Sequence, residues 1–162
     1  MTNLIKYLLI FLLPSALLSC ADDNVHQPDV SNEIHTIYLK MTGNMTTSVP
    51  DMPVFEPVES EEIVSVTING NKAEACFTAF DIDIPMMNRV ISIGDMEIYG
   101  VSVNEVDGVK TLSAGNFECQ GGDYIIKGSL QGEISSGKAE ITILYRPGSM
   151  PFECRSTFTS NL

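Results

Sequence analysis

The sequence predicts an all-β protein, a small antiparallel up-and-down barrel of about eight to nine strands. Short segments alternate apolar and polar side chains with a period of two, and turn residues separate them every ~8–12 residues. No stretch of helical length places apolar residues at i, i+3, i+4 and i+7. Nearly every connection is short, which favours a meander over a Greek key, and closure would remove the exposed edges that promote aggregation.

The first half of the domain carries the clearest hairpin signal. Apolar and polar residues alternate over 35–42, which predicts a first strand. Residues 44–60 contain three prolines and are expected to form a long irregular loop. Residues 63–68 then run into Asn69-Gly70, and residues 72–80 return. Asn-Gly suits a type I′ turn, whose two central residues both need positive φ.

The second half continues the alternation with one interruption. Residues 81–89 break the pattern and contain Pro85, so they are expected to form another irregular loop. Asp107-Gly108 is a second hairpin signal, and residues 119–122 predict a further turn. Strands are expected over residues 90–93, 96–106, 109–117, 124–134, 139–146 and 152–160.

The first twenty residues resemble the signal and lipobox of bacterial lipoproteins. An apolar run over 8–13 follows Lys6, and Leu17-Leu18-Ser19-Cys20 places a leucine three positions and a small residue one position before a cysteine. In such lipoproteins the thiol receives a diacylglycerol and the preceding peptide is removed. The resemblance implies lipidation at Cys20, with acyl chains holding the mature protein at a membrane.

A transmembrane helix is the alternative interpretation of this segment. A span needs about 20 predominantly apolar residues, whereas the run over 7–18 is shorter and contains Pro14. Asp22-Asp23 resemble the acidic export signal of Bacteroidetes surface lipoproteins, which favours the cell surface over the periplasmic face of the outer membrane. The expected parts are a removed signal peptide (1–19), a lipidated tether (20–34) and a barrel domain (35–162).

The acidic composition excludes some partners. The formal charge of −12 becomes −13 in the mature chain, because Lys6 precedes Cys20 and every acidic residue follows it. Nucleic acid is not expected as a partner, since phosphate contacts need clustered Lys or Arg, and adhesion to anionic headgroups is equally disfavoured. The acidity favours solubility, with recognition of a basic partner as the alternative.

Three cysteines follow the lipidated one: Cys76, Cys119 and Cys154. An exported protein meets an oxidising compartment, so one internal disulfide is permitted and one thiol stays free. Counting turns along a meander places the turns near Cys119 and Cys154 at one end, which predicts a bridge between them. The strand between them would separate the two by about 9–10 Å. Because a bridge needs less than about 7 Å, one loop would have to fold over that strand end.

Glycine and alternation patterns in the chain resemble a known family. The patterns occupy residues 93–98 (IGDMEI), 107–109 (DGV), 127–134 (KGSLQGEI) and 156–159 (STFT). They resemble the calycin-like, or lipocalin-like, β-barrel lipoproteins of Bacteroidetes, with the similarity covering residues 35–162. The resemblance implies a small antiparallel barrel, and it implies no particular activity and no functional residues.

The sequence contains no recognisable catalytic or metal-binding motif, so we expect no enzyme activity, no cofactor and no metal. G-x-S-x-G, H-E-x-x-H, C-x-x-C and a suitably partnered S-x-x-K are all missing. His26 and His35 fall in or beside the tether and are expected to be solvated. Asp81 and Asp83 would project from one side of an extended chain, where a calcium site is conceivable. Because no further oxygen-ligand pattern follows, we expect two solvated carboxylates on a loop instead.

Without a catalytic motif, two hypotheses for the function of the domain remain. In the first, the barrel binds a small apolar ligand at a mouth, placed by turn counting opposite the cysteine turns. The mouth residues, which meet as an adaptable rim or else plug the barrel end, are Met52, Val54, Phe55, Met86 and Met87. In the second, the domain is a protein–protein interaction module, an inhibitor or an accessory subunit, that uses its acidic exterior against a basic partner. Fold alone does not choose between them, but a packed interior favours the module and an open cavity favours the ligand.

Overall fold

The structure, a computed structural model, describes residues 36–52, 56–84 and 89–162, without the side chain of residue 84. All regular structure in these ranges is β. The strands are β1 (Thr36–Ser48), β2 (Val58–Asn69), β3 (Lys72–Phe77), β4 (Phe80–Ile84), β5 (Arg89–Ile93), β6 (Met96–Val106), β7 (Val109–Gly121), β8 (Tyr124–Ile134), β9 (Lys138–Pro147) and β10 (Cys154–Asn161).

Eight of these strands close into a barrel in the order β1-β10-β9-β8-β7-β6-β3-β2. Each wall strand runs antiparallel to both of its neighbours. The first and last strands close the wall, with Met45 of β1 opposite Phe158 of β10. Wall neighbours are also neighbours in sequence, apart from the closing pair β1 and β10 and the pair β3 and β6. The predicted antiparallel up-and-down barrel is therefore confirmed.

Period-two alternation builds the wall, and β9 illustrates it. Ala139, Ile141, Ile143 and Tyr145 are fully buried, whereas Glu140 between the first two is exposed. Successive side chains of a strand point to opposite faces, so such a strand buries one face and hydrates the other. Burial of the apolar face is the main favourable term in closing the barrel.

Tight turns join the strands at one end of the barrel, which we call the turn end. Asp107 and Gly108, between β6 and β7, have φ values of 52° and 78°, so both central residues are left-handed as predicted for a type I′ turn. Between β2 and β3, Asn69 pairs with Lys72, and Gly70 with φ 61° begins the two-residue loop. Because Asn71 does not have positive φ, this turn is of type II′ and the type I′ prediction is wrong.

Strands β4 and β5 do not belong to the wall. They pair only with each other, with Phe80 opposite Ile93, and form a separate two-stranded sheet. The predictions of one continuous strand over 72–80 and of a wall strand over 90–93 are therefore wrong, because β3 ends at Phe77 and the chain leaves the wall there. We call this element the β4–β5 hairpin.

The β4–β5 hairpin changes which connections share an end of the barrel. The chain leaves the wall after β3, forms β4 and β5, and re-enters the wall with β6 at the same end of the barrel. Three other connections lie at that end: 49–57, the β7–β8 turn and 148–153. We call this the hairpin end. The predicted mouth and the predicted cysteine turns therefore share one end, and their placement at opposite ends is wrong. The predicted loop over 44–60 shortens to 49–57, because β1 and β2 stay paired as far as Thr47 opposite Val58.

Candidate functional site

Side chains fill the interior of the barrel. Each of the eight wall strands contributes at least one inward side chain that is at most 2 % exposed: Met45, Val66, Ala75, Ile98, Leu112, Leu130, Ile141 and Phe158. Protein interiors with such burial are packed to nearly crystalline density. The interior described here is a core, and it leaves the candidate sites to the rim and the outer surface.

The β4–β5 hairpin closes one end of this core. Its apolar face buries Ile82 and Ile91 almost completely, and the ring of Phe80 meets that of Tyr145 on β9 edge to face, with centroids 6.2 Å apart and an 88° interplanar angle. A Cβ atom on Gly121 would lie 3.1 Å from a methyl of Ile93, so glycine at the end of β7 leaves room for the hairpin.

A short chain of hydrogen bonds supports the aromatic pair. The hydroxyl groups of Thr47 and Ser156 are 2.7 Å apart, and the Tyr145 hydroxyl lies 3.1 Å from that of Ser156. Burial raises the pKa of Tyr145 well above its usual range, so the phenol stays neutral. Among the described residues, no buried side-chain nitrogen or oxygen lacks a hydrogen-bond partner. The core therefore presents no unsatisfied polar group that a ligand would meet.

The predicted mouth can be checked at Met52, because Val54, Phe55, Met86 and Met87 lie outside the described residues. Met52 is half-buried and packs against the core, and its backbone N–H donates to the carbonyl of Val49 at 2.9 Å. The choice between an adaptable rim and a plugged barrel end stays a prediction.

The three cysteines of the barrel domain are free thiols, so the predicted Cys119–Cys154 bridge is not formed in this structure. The sheet order places β8 and β9 between β7 and β10. Three strand spacings amount to about 14 Å along the wall, beyond the about 7 Å that a bridge allows. Burial raises the pKa of Cys119 to about 11, and burial with the nearby charge of Glu153 raises that of Cys154 to about 12.

A groove of about 690 Å³ lies at the hairpin end, and we call it the rim groove. One side is the start of β2, another is the outward face of the β4–β5 hairpin, and the third is the β7–β8 turn. The residues that line it are Val58, Ser60, Glu62, Ala79, Phe80, Asp81, Asp83, Val90, Ser92, Ile93, Gly94, Gly122 and Asp123.

The rim groove is acidic. Glu62, Asp81, Asp83 and Asp123 line it, and none of the described Lys or Arg residues does. Asp81 and Asp83 are exposed on one side of β4, as the sequence predicts, whereas sequence reasoning did not connect them with Glu62 or Asp123. These carboxylates come from three separate elements, so only the closed barrel brings them together.

Local contacts hold the base of the hairpin beside the groove. A carboxylate oxygen of Asp95 accepts the backbone N–H of Ala79 at 2.8 Å, which ties the two ends of the hairpin segment together. A Cβ on Gly94 would lie 2.4 Å from the backbone nitrogen of Gly122, so glycine is needed for this close approach to the β7–β8 turn.

Three potential metal ligands meet on the outer face of the wall. Atoms of Glu74, Cys76 and Glu97 lie within 4.8 Å of one another. The Cys76 thiol donates to Glu74 at 3.6 Å, and the Tyr99 hydroxyl donates to Glu97, which raises the pKa of Tyr99 to about 12. Burial, with Glu74 adding to it, raises the pKa of Cys76 and disfavours the thiolate that a metal would need. We assign no metal to this cluster.

The chain matches the Calycin-like beta-barrel domain family over residues 42–161. The protein belongs to this family. A crystal structure of a Bacteroides fragilis protein, provisionally named an outer membrane protein, is similar with a TM-score of 0.62 and 17 % sequence identity. The match covers 78 % of this chain and 51 % of that protein, so the chain spans about half of its length. No curated protein sequence matches the chain.

The calycin-like barrel carries no helix of membrane-spanning length and hydropathy in its described part.

Proposed function

We propose that this calycin-like protein is a non-enzymatic interaction module of the bacterial envelope, held at the outer membrane through a lipid on Cys20. The observation that carries this proposal is the filled core beneath the β4–β5 hairpin, where Phe80 packs against Tyr145. A barrel that binds a small apolar molecule keeps an interior space for it. Side chains fill that space here, which favours the module over the ligand-binding hypothesis.

The sequence supports the proposed location. Leu17-Leu18-Ser19-Cys20 resembles a lipobox, and Asp22-Asp23 favour the cell surface. The Bacteroides fragilis protein of similar fold is provisionally named an outer membrane protein, which is compatible with an envelope location for this chain. β1 begins at the turn end, with Thr36 opposite Asn69, which is the end of the barrel opposite the rim groove.

Native mass spectrometry of the protein, purified gently from its own organism, tests the function. We expect a retained protein partner and no small apolar molecule. Retention of a stoichiometric small molecule without a protein partner would contradict the proposal. An apolar fluorescent probe gives an independent check, with no uptake by the native chain and uptake by Phe80→Ala, in which the lost ring opens a space beside Tyr145.

A further inference from the structure

One wall strand extends beyond its neighbour at the rim groove. β2 pairs with β1 from Val58 onward, but its pairing with β3 begins only at Val64. The last backbone hydrogen bond on that side joins Ile63 to Thr78, with the Thr78 N–H donating to the Ile63 carbonyl at 3.1 Å. The Thr78 hydroxyl also donates to the Glu62 carboxylate at 3.5 Å, which leaves the backbone of Glu62 out of the ladder. Residues 58–62 therefore have a ladder partner on one side only, among the residues described. We call them the open edge of β2.

The backbone groups of the open edge have a definite direction. Ile63 turns both its N–H and its carbonyl toward Thr78, the first donating to the threonine hydroxyl at 3.3 Å. Alternate residues of an antiparallel strand direct these groups to the same neighbour. Glu59 and Glu61 therefore direct theirs away from β1, where no described backbone group accepts or donates. Such an edge is a template for an added strand.

The open edge borders the rim groove. The inward side chains of Val58, Ser60 and Glu62 line one side of it, and Asp81 and Asp83 of β4 line another. The five residues of the open edge span about 17 Å at the rise of a β-strand. A groove of about 690 Å³ is within the range of pockets that hold ligands, and it takes a short extended segment.

Charge selects the kind of segment. Four carboxylates line the groove without a described Lys or Arg, and the exposed side chains of Glu59 and Glu61 flank it. A second copy of the chain would set these glutamates against their own equivalents, and like charges directly opposite are destabilising. The preceding segment, residues 21–35, carries four acidic residues and no Lys or Arg, so charge disfavours it as well.

We infer that a Lys- or Arg-bearing extended segment of a partner protein binds the rim groove by adding a strand to the open edge of β2. Its backbone pairs with Glu59 and Glu61, and its basic side chains meet Glu62, Asp81 and Asp83. This inference rests on the proposed function and names the surface and the partner chemistry for it.

A synthetic peptide tests the inference on the full mature chain. The probe alternates Lys with Val or Thr over about eight residues and has blocked ends. We expect saturable binding, and slower amide hydrogen exchange at Glu59 and Glu61 when the peptide is bound. Methylation of alternate peptide nitrogens should abolish binding because it removes the backbone donors. Equal binding of the methylated peptide would overturn strand addition.

Charge variants test whether the basic side chains of the peptide meet the acidic residues of the rim groove. Asp81→Asn with Asp83→Asn should weaken peptide binding about tenfold, the effect of losing two moderately exposed charge pairs. Glu133→Gln with Glu140→Gln is the matched control, because it also removes two charges and both residues are exposed near the turn end. If the control weakens peptide binding equally, the effect comes from net charge alone, and the assignment of the peptide to the rim groove is wrong.

The outcomes separate this inference from the proposed function. If native mass spectrometry retains a protein partner but the basic peptide fails to bind, the surface assignment is wrong and the interaction module stands. If the peptide binds without protecting Glu59 and Glu61, strand addition is wrong. If a small molecule is retained without a partner, the proposed function itself fails.

Discussion

The two ends of the barrel use their connections differently. At the turn end, β6 and β7 are joined through Asp107-Gly108 alone, and a cavity there of about 320 Å³ contains a Lys110–Glu105 ion pair at 3.2 Å. At the hairpin end three of the four connections are longer, and the β7–β8 turn is the short one. The groove at this end is about 690 Å³, and none of its acidic side chains forms a salt bridge with a described residue. The two charged residues that line the turn-end cavity pair with each other, whereas the acidic residues of the rim groove have no described basic partner and lie beside an open strand edge.

The surface that we propose for binding lies at the end of the barrel that carries the inserted hairpin. A tight turn only reverses the chain, so it leaves little surface that could vary without loss of the fold. The inserted β4–β5 hairpin does two things at once: its Phe80 face completes the core, and its Asp81 face forms one side of the rim groove. The four predictions below start with the largest expected effect.

Replacing Cys20 with Ser should release the protein from the membrane completely, because in the proposed attachment the acyl chains are the whole anchor. Acyl labelling should disappear, and the protein should move to the soluble fraction after a high-pH wash. Since the substitution leaves every residue of the rim groove unchanged, the released protein should still bind the basic peptide there. Retention of the Ser variant in washed membranes would show that the anchor lies elsewhere.

Phe80→Ala should lower the free energy of unfolding by about 3–5 kcal/mol, as is usual when a buried aromatic ring is removed. The ring is 4 % exposed and packs on Tyr145, so its loss leaves a cavity under the hairpin. Urea unfolding measures the change. Val90→Ala is the control on the other face of the same hairpin, where the side chain is 54 % exposed and should contribute within about 0.5 kcal/mol. Equal effects would mean that the hairpin is not part of the core.

Local patterns in the sequence predict the wall but not the hairpin. Turns such as Asp107-Gly108 and the alternation of β9 depend on adjacent residues, so they are readable from the sequence. Phe80 and Ile82 alternate as a wall strand does, and the contact of Phe80 with the distant Tyr145, which places the hairpin over the core, depends on the closed barrel. The five-residue length of β4 and β5, against 10 to 13 for most wall strands, is a signal that sequence reasoning could have used.

The rim groove had a weaker signal. Val64, Val66 and Ile68 place the inward positions of β2 at even numbers. Ser60 and Glu62 occupy the same parity, and polar residues at inward positions indicate that the strand has left the core. The partners of Glu62 in the groove could not be predicted, because Asp81 and Asp123 approach it only after the barrel has closed.

Ser156→Ala should lower the free energy of unfolding by about 1–3 kcal/mol, because it leaves buried hydroxyls of Thr47 and Tyr145 without their shared partner. The double variant Ser156→Ala, Tyr145→Phe should be destabilised by less than the sum of the two single changes. Tyr145→Phe removes the buried hydroxyl that Ser156→Ala leaves without a hydrogen-bond partner. Chemical denaturation of the three variants measures the coupling. If the two single changes in the free energy of unfolding add exactly, the three hydroxyl groups are not coupled.

The smallest effect is expected from oxidation at the hairpin end, where Cys119 and Cys154 were predicted to pair. Disulfide formation starts from a thiolate, and pKa values of about 11 for Cys119 and about 12 for Cys154 leave little thiolate at neutral pH. The raised pKa of Cys154 also has a consequence for stability. The contribution of the neutral Cys154 thiol to the free energy of unfolding is fully present below the ordinary pKa of 9.0. It is lost as the pH rises through about 12.

A mild oxidant at neutral pH should therefore leave the melting temperature unchanged, with three thiols that react with iodoacetamide only after unfolding or at higher pH. Cys119 should react before Cys154 as the pH rises, because it is half-buried and has the lower pKa. Peptide mapping without reduction measures the pairing directly. A Cys119–Cys154 cross-link in native protein would require β7 and β10 to approach across two intervening strands, and the sheet order described here would then be wrong at the hairpin end.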